Sequence, residues 1–269
     1  MLELYHFGFS TCSQKVRLVL AEKNLDFVSH EVNLMAGAQH DPAYVKLNPK
    51  HVVPTLIHDG HVFVESSLII AYLDEVFPEP AQRPADALGR YRVAKWIKRV
   101  DDALHPAAPV VTFAMGPRAQ QLQQPVEVRE AALAAIPDPR DRAIRRSVLE
   151  HGVKAPEFAG ALGVFLATLD AMEADLAERP WLSGATFGLA DATLLPYVLR
   201  LEHLAMDAVL SASARPRVSG WLARVKARPS YATAVGAWAP AGVVEMLRSN
   251  GKAVWADVEP LTRAGAAKT

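Results

Sequence analysis

Short strand-like runs occur only in the first eighty residues of this chain; beyond Pro84 it reads as helices joined by polar or proline-containing connectors. Such a change of period calls for a mixed strand-and-helix layer followed by a separate helical body. The chain has 269 residues, enough for two domains with their own cores. The boundary is expected in 77–85, a stiff segment holding Pro78, Pro80 and Pro84. The expected division is a first domain over 1–80, an all-helical domain over 86–235 and a C-terminal tail over 236–269.

Within the first domain, 2–6 is an apolar-rich strand, and 11–23 puts Cys12, Val16, Val19 and Leu20 on one helical face. Residues 27–32 alternate as a second strand, and a short helix over 41–47 returns the chain. The runs 54–58 and 61–64 flank Asp59-Gly60, whose two residues both tolerate positive φ, and so form a hairpin. Residues 65–77 carry Ile69, Ile70, Leu73 and Val76 at helical spacing and stop at Pro78. The order is βαβαββα.

In the helical part, Val93, Trp96, Ile97, Val100 and Leu104 form one stripe, predicting a long helix over 86–114 bent near Pro106 and Pro109. Helices are also expected over 158–177, 188–204 and 216–227. The stretch 116–157 has no clear period; its cluster of Arg140, Arg142, Arg145 and Arg146, beside Asp138 and Asp141, reads as solvated surface.

Charge and cysteine count exclude several roles. Lys plus Arg and Asp plus Glu are both 29, so no global positive field gathers nucleic acid. The single cysteine cannot form an internal disulfide and no leader pattern opens the chain, so a cytoplasmic protein is expected. No run reaches the roughly 18 to 20 apolar residues that span a bilayer, and Arg248, Lys252, Asp257 and Glu259 interrupt the tail, so no membrane role and no metal site are expected.

Three separated motifs, in order, carry a resemblance. They are Ser10-Thr11-Cys12-Ser13-Gln14-Lys15-Val16-Arg17; then Asn48 to Leu56 with Val64-Glu65-Ser66-Ser67; then Gly188-Leu189-Ala190-Asp191. Together they resemble the serine-type glutathione transferases, closely over 2–78 and more loosely over 160–230, with 116–157 lacking a counterpart. The resemblance implies an α+β thioredoxin-like N-terminal domain followed by an all-α C-terminal domain. It implies glutathione as co-substrate, a hydrophobic electrophilic small molecule as the second substrate, and a homodimer with 65–77 and 86–114 facing the partner.

It also implies roles. Ser10 donates a hydrogen bond to the glutathione thiolate at a helix start whose dipole favours the anion. Read without the resemblance, Ser10 is an N-cap, and one hydroxyl can do both. The Val53-Pro54 bond is cis in the family, and the Val53 backbone pairs with the cysteinyl backbone of glutathione; a trans proline opening an edge strand is the alternative. Ser66 holds the γ-glutamyl carboxylate at a helix start while Glu65 faces the ammonium group, although an acidic residue there also simply complements a helix dipole. His40 stands near the glycine carboxylate, one residue closer to Asn48 than the family spacing. Asp191 is a buried capping residue with Gly188 in place of the usual hydroxyl cap.

Cys12 divides the branches. In the reductive dehalogenases that this chain resembles, a cysteine at this position attacks a glutathionyl intermediate; in the zeta branch a cysteine also occurs here, and packing beside Val16, Val19 and Leu20 is the alternative. The stretch 13–23 also resembles the ganglioside-induced differentiation-associated proteins, and the long insertion resembles the β-etherases. A non-catalytic binding or regulatory protein on the same fold is a third possibility.

Overall fold

The computed structural model describes residues 1–264. In chain order the elements are β1 (Leu2–His6), α1 (Thr11–Glu22), β2 (Val28–Glu31), α2 (Pro42–Leu47), β3 (Thr55–His58), β4 (His61–Phe63) and α3 (Ser66–Val76). Helices follow: α4 (Ala87–Arg99), α5 (His105–Met115), α6 (Arg118–Leu122), α7 (Val126–Ala134), α8 (Pro139–His151), α9 (Pro156–Glu178), α10 (Leu189–His203), α11 (Asp207–Leu210), α12 (Pro216–Lys226), α13 (Pro229–Ala234) and α14 (Ala241–Ala264). The chain forms two compact units. The first holds Met1–Lys98, Arg179–Pro196 and Trp221–Pro240, and the second holds Arg99–Glu178, Tyr197–Gly220 and the chain from Ala241 onward.

The first unit is built on a four-stranded sheet of order β2-β1-β3-β4. β1 runs parallel to β2 and antiparallel to β3, with Tyr5 opposite Thr55, and β3 pairs with β4 through the hairpin. Asp59 (φ 48°) and Gly60 (φ 81°) both take the left-handed conformation that this turn requires. Leu2, Leu4 and His6 alternate inward along β1, as the period-2 pattern demands. α1 is covered on nearly every side, with every residue from Ser13 to Leu20 buried. Ile69, Ile70 and Leu73 of α3 are fully buried.

The proline-rich segment after α3 is pinned by charge. Lys23 Nζ donates to the carbonyls of Phe77 (2.7 Å) and Pro80 (2.9 Å) and pairs with Asp74 Oδ1 at 2.8 Å. Asp74 also accepts from Gln82 N (3.0 Å) and Arg83 Nε (2.6 Å). A buried lysine–aspartate pair is tolerated here because each remaining proton and lone pair finds a partner.

The helix expected over 86–114 comprises α4, a π-helical turn at Val100–Leu104, and α5. The wider turn sits just ahead of Pro106 and Pro109, residues that lack the N–H for a regular ladder. In the second unit, α9 presents Phe158, Leu162, Phe165, Leu169 and Met172 to the core. Gly251 of α14 is required by closeness, since a Cβ there would lie 2.0 Å from the Leu204 carbonyl oxygen.

Residues 116–157, opaque in the sequence, form α6, α7, α8 and a 3-10 turn at Gly152–Lys154. The expected tail is regular, with a 3-10 turn at Gly236–Trp238 and the 24-residue α14; its residues 265–269 lie outside the described residues. Among the described residues no single helix is long and apolar enough to cross a membrane.

Candidate functional site

Strand direction decides where the motif residues go. β1 ends where β3 begins, because Tyr5 pairs with Thr55, and β4 ends beside the start of β3, because Phe63 pairs with Leu56. The loop after β1 carries Ser10, the loop before β3 carries Val53 and Pro54, and the loop after β4 carries Glu65 and Ser66. All three loops therefore open at one end of the sheet. A hydrogen bond from Lys15 Nζ on α1 to Ser67 Oγ on α3 (2.9 Å), with Lys15 1% exposed, ties two of them together.

Ser10 caps α1: its Oγ accepts from Ser13 N at 3.3 Å, and its own N–H donates to the Phe7 carbonyl at 3.2 Å. Ser10 is half-buried. Its hydroxyl hydrogen is not consumed by that acceptor bond and can be donated to an anion held at the helix start, where unpaired N–H groups also donate. The capping role and the role in holding an anion are therefore geometrically compatible.

The turn that presents Ser10 is braced from inside by Arg17, which is 1% exposed. Its guanidinium donates to the carbonyls of Gly8 (2.7 Å), Phe7 (3.3 Å) and Ala234 (2.8 Å) and to His6 Nδ1 (2.9 Å), and it stacks on Trp238, 4.9 Å from the ring centroid. Burial lowers the pKa of Arg17, and burial together with the Arg17 charge lowers that of His6 to about 4. His6 is thus neutral at pH 7, accepting from Arg17 and donating from Nε2 to Ser29 Oγ at 2.8 Å. Gly8 is irreplaceable for a steric reason, as a Cβ would stand 2.8 Å from the Trp238 carbonyl oxygen.

At the second loop the Val53-Pro54 bond is cis. The loop is clamped by Tyr44 Oη donating to Val52 O (2.6 Å) and Asn48 Nδ2 donating to the same oxygen (2.9 Å). Val53 packs with Val32 and Tyr44. At the third loop Glu65 is exposed, with φ 67° and ψ 103°, a conformation that a side chain rarely adopts away from functional sites. Its carboxylate pairs with Lys50 Nζ at 2.5 Å, and Ser66 behind it is buried. His40 is exposed, with Nδ1 3.1 Å from His51 Nδ1. Tyr5 packs rather than reaching outward, its ring stacked on His30 at 4.3 Å.

Cys12, the second residue of α1, is half-exposed, whereas Val16, Val19 and Leu20 on the same stripe are fully buried. The stripe leaves the core at its first turn. Among the described residues no group of three or more His, Cys, Asp or Glu side chains is arranged to hold a metal.

Asp191 lies fully buried and accepts from the N–H groups of Leu182 (2.9 Å), Ser183 (3.1 Å) and Gly188 (3.2 Å) and from Trp221 Nε1 (2.8 Å). The hydroxyl missing at Gly188 is supplied from elsewhere: Ser183 Oγ accepts from Ala190 N at 3.0 Å. A Cβ at Gly188 would meet Gln82 O at 2.3 Å, which explains the glycine. The roles of Lys15 and Arg17 escaped the sequence reading because Ser67 and Ala234 lie 52 and 217 positions away, and that of Ser183 because it caps from outside the motif. The one signal available for the first two was the presence of two cations on a helix otherwise apolar enough to be buried.

Comparison with known proteins follows the same lines, except that the C-terminal match opens at residue 140, inside the stretch 116–157 that was expected to lack a counterpart. Residues 4–81 match the family described as glutathione S-transferase, N-terminal domain, and residues 140–224 match glutathione S-transferase, C-terminal domain. The chain is 29% identical over 246 residues to Glutathione S-transferase TCHQD of Arabidopsis thaliana, covering 87% of this chain and 90% of the relative. It is 30% identical over 242 residues to tetrachloro-p-hydroquinone reductive dehalogenase of Sphingobium chlorophenolicum, covering 87% and 95%. With Protein LigF of Sphingobium sp. strain SYK-6 it shares 30% over 237 residues, covering 85% and 91%. The crystal structure of that protein, described as a β-etherase, superposes with a TM-score of 0.77 at 27% identity, over 88% of this chain and 99% of the other.

Proposed function

Because this chain belongs to the glutathione S-transferase family, we propose that it binds glutathione at the sheet end where Ser10, Val53-Pro54 and Glu65-Ser66 open, and activates its thiol as a thiolate for attack on a hydrophobic electrophile. The single observation that carries this reading is the opening of all three loops at that one end, each with the chemistry its part of the tripeptide needs. Ser10 donates to the sulfur while its oxygen stays on Ser13 N. Val53 offers backbone groups for a strand-like pairing, Ser66 and the α3 start receive the γ-glutamyl carboxylate, Glu65 faces the ammonium, and His40 serves the glycine end. Rate comes from thiolate stabilisation and from holding sulfur and electrophile together.

The relatives described as a β-etherase and a reductive dehalogenase support an aromatic acceptor, an aryl ether or an aryl halide. The proposed assembly is a homodimer and the proposed compartment is the cytoplasm, the latter supported by a single cysteine without a disulfide. Residues 1–80 are assigned to glutathione and the helical region over 86–235 to the acceptor.

The half-exposed Cys12 favours a second reading, reductive dehalogenation. Its thiolate attacks the sulfur of a glutathionyl conjugate, the carbon–sulfur pair leaves on carbon and takes a proton, and a second glutathione reduces the resulting mixed disulfide to glutathione disulfide. One experiment addresses both readings. In Ser10→Ala the pKa of bound glutathione rises and turnover falls by about tenfold or more, measured by thiolate absorbance against pH; an unchanged profile removes Ser10 from the mechanism. Intact-protein mass spectrometry during turnover of an aryl halide shows a glutathione adduct that Cys12→Ser abolishes if the second reading holds, and none if it does not.

A further inference from the structure

Two buried lysines of α1 hold it against α3. Lys15 Nζ donates to Ser67 Oγ at 2.9 Å, and farther along both helices Lys23 Nζ pairs with Asp74 Oδ1 at 2.8 Å. The steps from 15 to 23 on α1 and from 67 to 74 on α3 are nearly equal, so the two helices run in one direction with their amino ends together. Each of those ends presents unpaired N–H groups and a partial positive charge.

The two lysines act at opposite ends of this pair of helices. Lys23 serves the far end, where it also donates to the carbonyls of Phe77 and Pro80 and so pins the proline-rich segment. Lys15 serves the near end: it lies five positions after Ser10 on α1 and meets α3 at its second residue, directly after Ser66. Lys15 and Ser67 are only 1% and 9% exposed, so water screens the lysine charge weakly. Two effects follow at the α3 start. The Lys15–Ser67 bond fixes how far that start stands from the α1 start, and the buried cation adds to the dipole field that favours an anion there.

We propose that Lys15 is a positioning residue for the γ-glutamyl carboxylate of glutathione: acting through Ser67, it sets the distance between the thiol end and the γ-glutamyl end of the site and makes the α3 start select an anionic arm. The proposal rests on the glutathione reading above and deepens it, by naming the residue of α1 that selects one arm of the tripeptide. Every residue it uses belongs to the first unit. A contact that served stability alone would not distinguish ligands that differ only in that carboxylate.

The test is calorimetric titration of the full chain with glutathione and with 4-aminobutanoyl-cysteinylglycine, which lacks the γ-glutamyl carboxylate and is otherwise the same. The unaltered protein binds glutathione at least about tenfold more tightly than the analogue. Lys15→Met, which keeps the length of the buried stem, weakens glutathione by about tenfold and the analogue by less than about twofold. Ser67→Ala, a smaller change that decides the matter if Lys15→Met does not fold, lowers the preference for glutathione by about threefold or more. A preference undiminished in folded Lys15→Met, equal weakening of both ligands, or a preference unchanged in Ser67→Ala overturns this proposal and leaves the glutathione reading standing. Failure of the unaltered protein to bind glutathione up to ~10 mM overturns both.

Discussion

His6 and Arg17 show how one buried pair controls a surface loop. Arg17 donates to the Phe7 and Gly8 carbonyls and also to His6 Nδ1, a bond that needs a neutral imidazole, so a proton on His6 sets two cations face to face. The folded pKa of about 4 lies below the ordinary 6.5, so as pH falls through that window the unfolded chain takes up the proton first and folded stability is lost. Stability is fully present above about 6.5. The unaltered protein should therefore lose on the order of 2 kcal/mol more than His6→Gln between pH 7 and 4, measured by urea unfolding at a series of pH values; parallel curves would remove His6 from the acid response. Ser10 was legible in the sequence because its cap is made with a neighbour three positions away, and Pro54 and Asp191 because they stand inside the motifs that carry the family resemblance. Arg17 was not, because Ala234 and Trp238 lie more than two hundred positions along.

At the scale of elements, the start of α10 is the best-determined joint of the first unit. One carboxylate collects three backbone N–H groups and an indole, and Ser183 completes the cap from outside the motif. Asp191→Ala strands four buried donors and should cost about 3 kcal/mol or more, whereas Ser183→Ala should cost about 1 kcal/mol. Thermal unfolding of both variants, alongside the thiol pKa of bound glutathione, checks this: stability falls and the thiol pKa stays put. A wild-type melting temperature in Asp191→Ala would refute the assignment. The strands, the hairpin and most helices followed from hydrophobic period and turn chemistry. The π-helical turn and α6 to α8 did not, because short helices with partners on several sides show no single apolar face. The arginine cluster likewise separates by partner, with Arg140 and Arg146 exposed, Arg142 bound to carbonyls and Arg145 turned into a cavity.

For the whole molecule, the proposed dimer has a visible motive. Val62 on β4, Leu68 and Val76 on α3, and Leu88 and Tyr91 on α4 are all exposed, Leu68 by 67% and Tyr91 by 64%. Large apolar side chains left in water on β4, α3 and α4 are what a partner copy would cover. Light scattering should give twice the chain mass for the unaltered protein and the single mass for Leu88→Glu combined with Tyr91→Glu; a monomer at the outset ends the proposal. The brace on the Ser10 turn has a consequence for synthesis. A ribosome releases the first eighty residues long before Ala234 and Trp238, so in the nascent amino-terminal domain Arg17 holds the Ser10 turn by its bonds to Phe7 and Gly8 alone until 234–238 emerge.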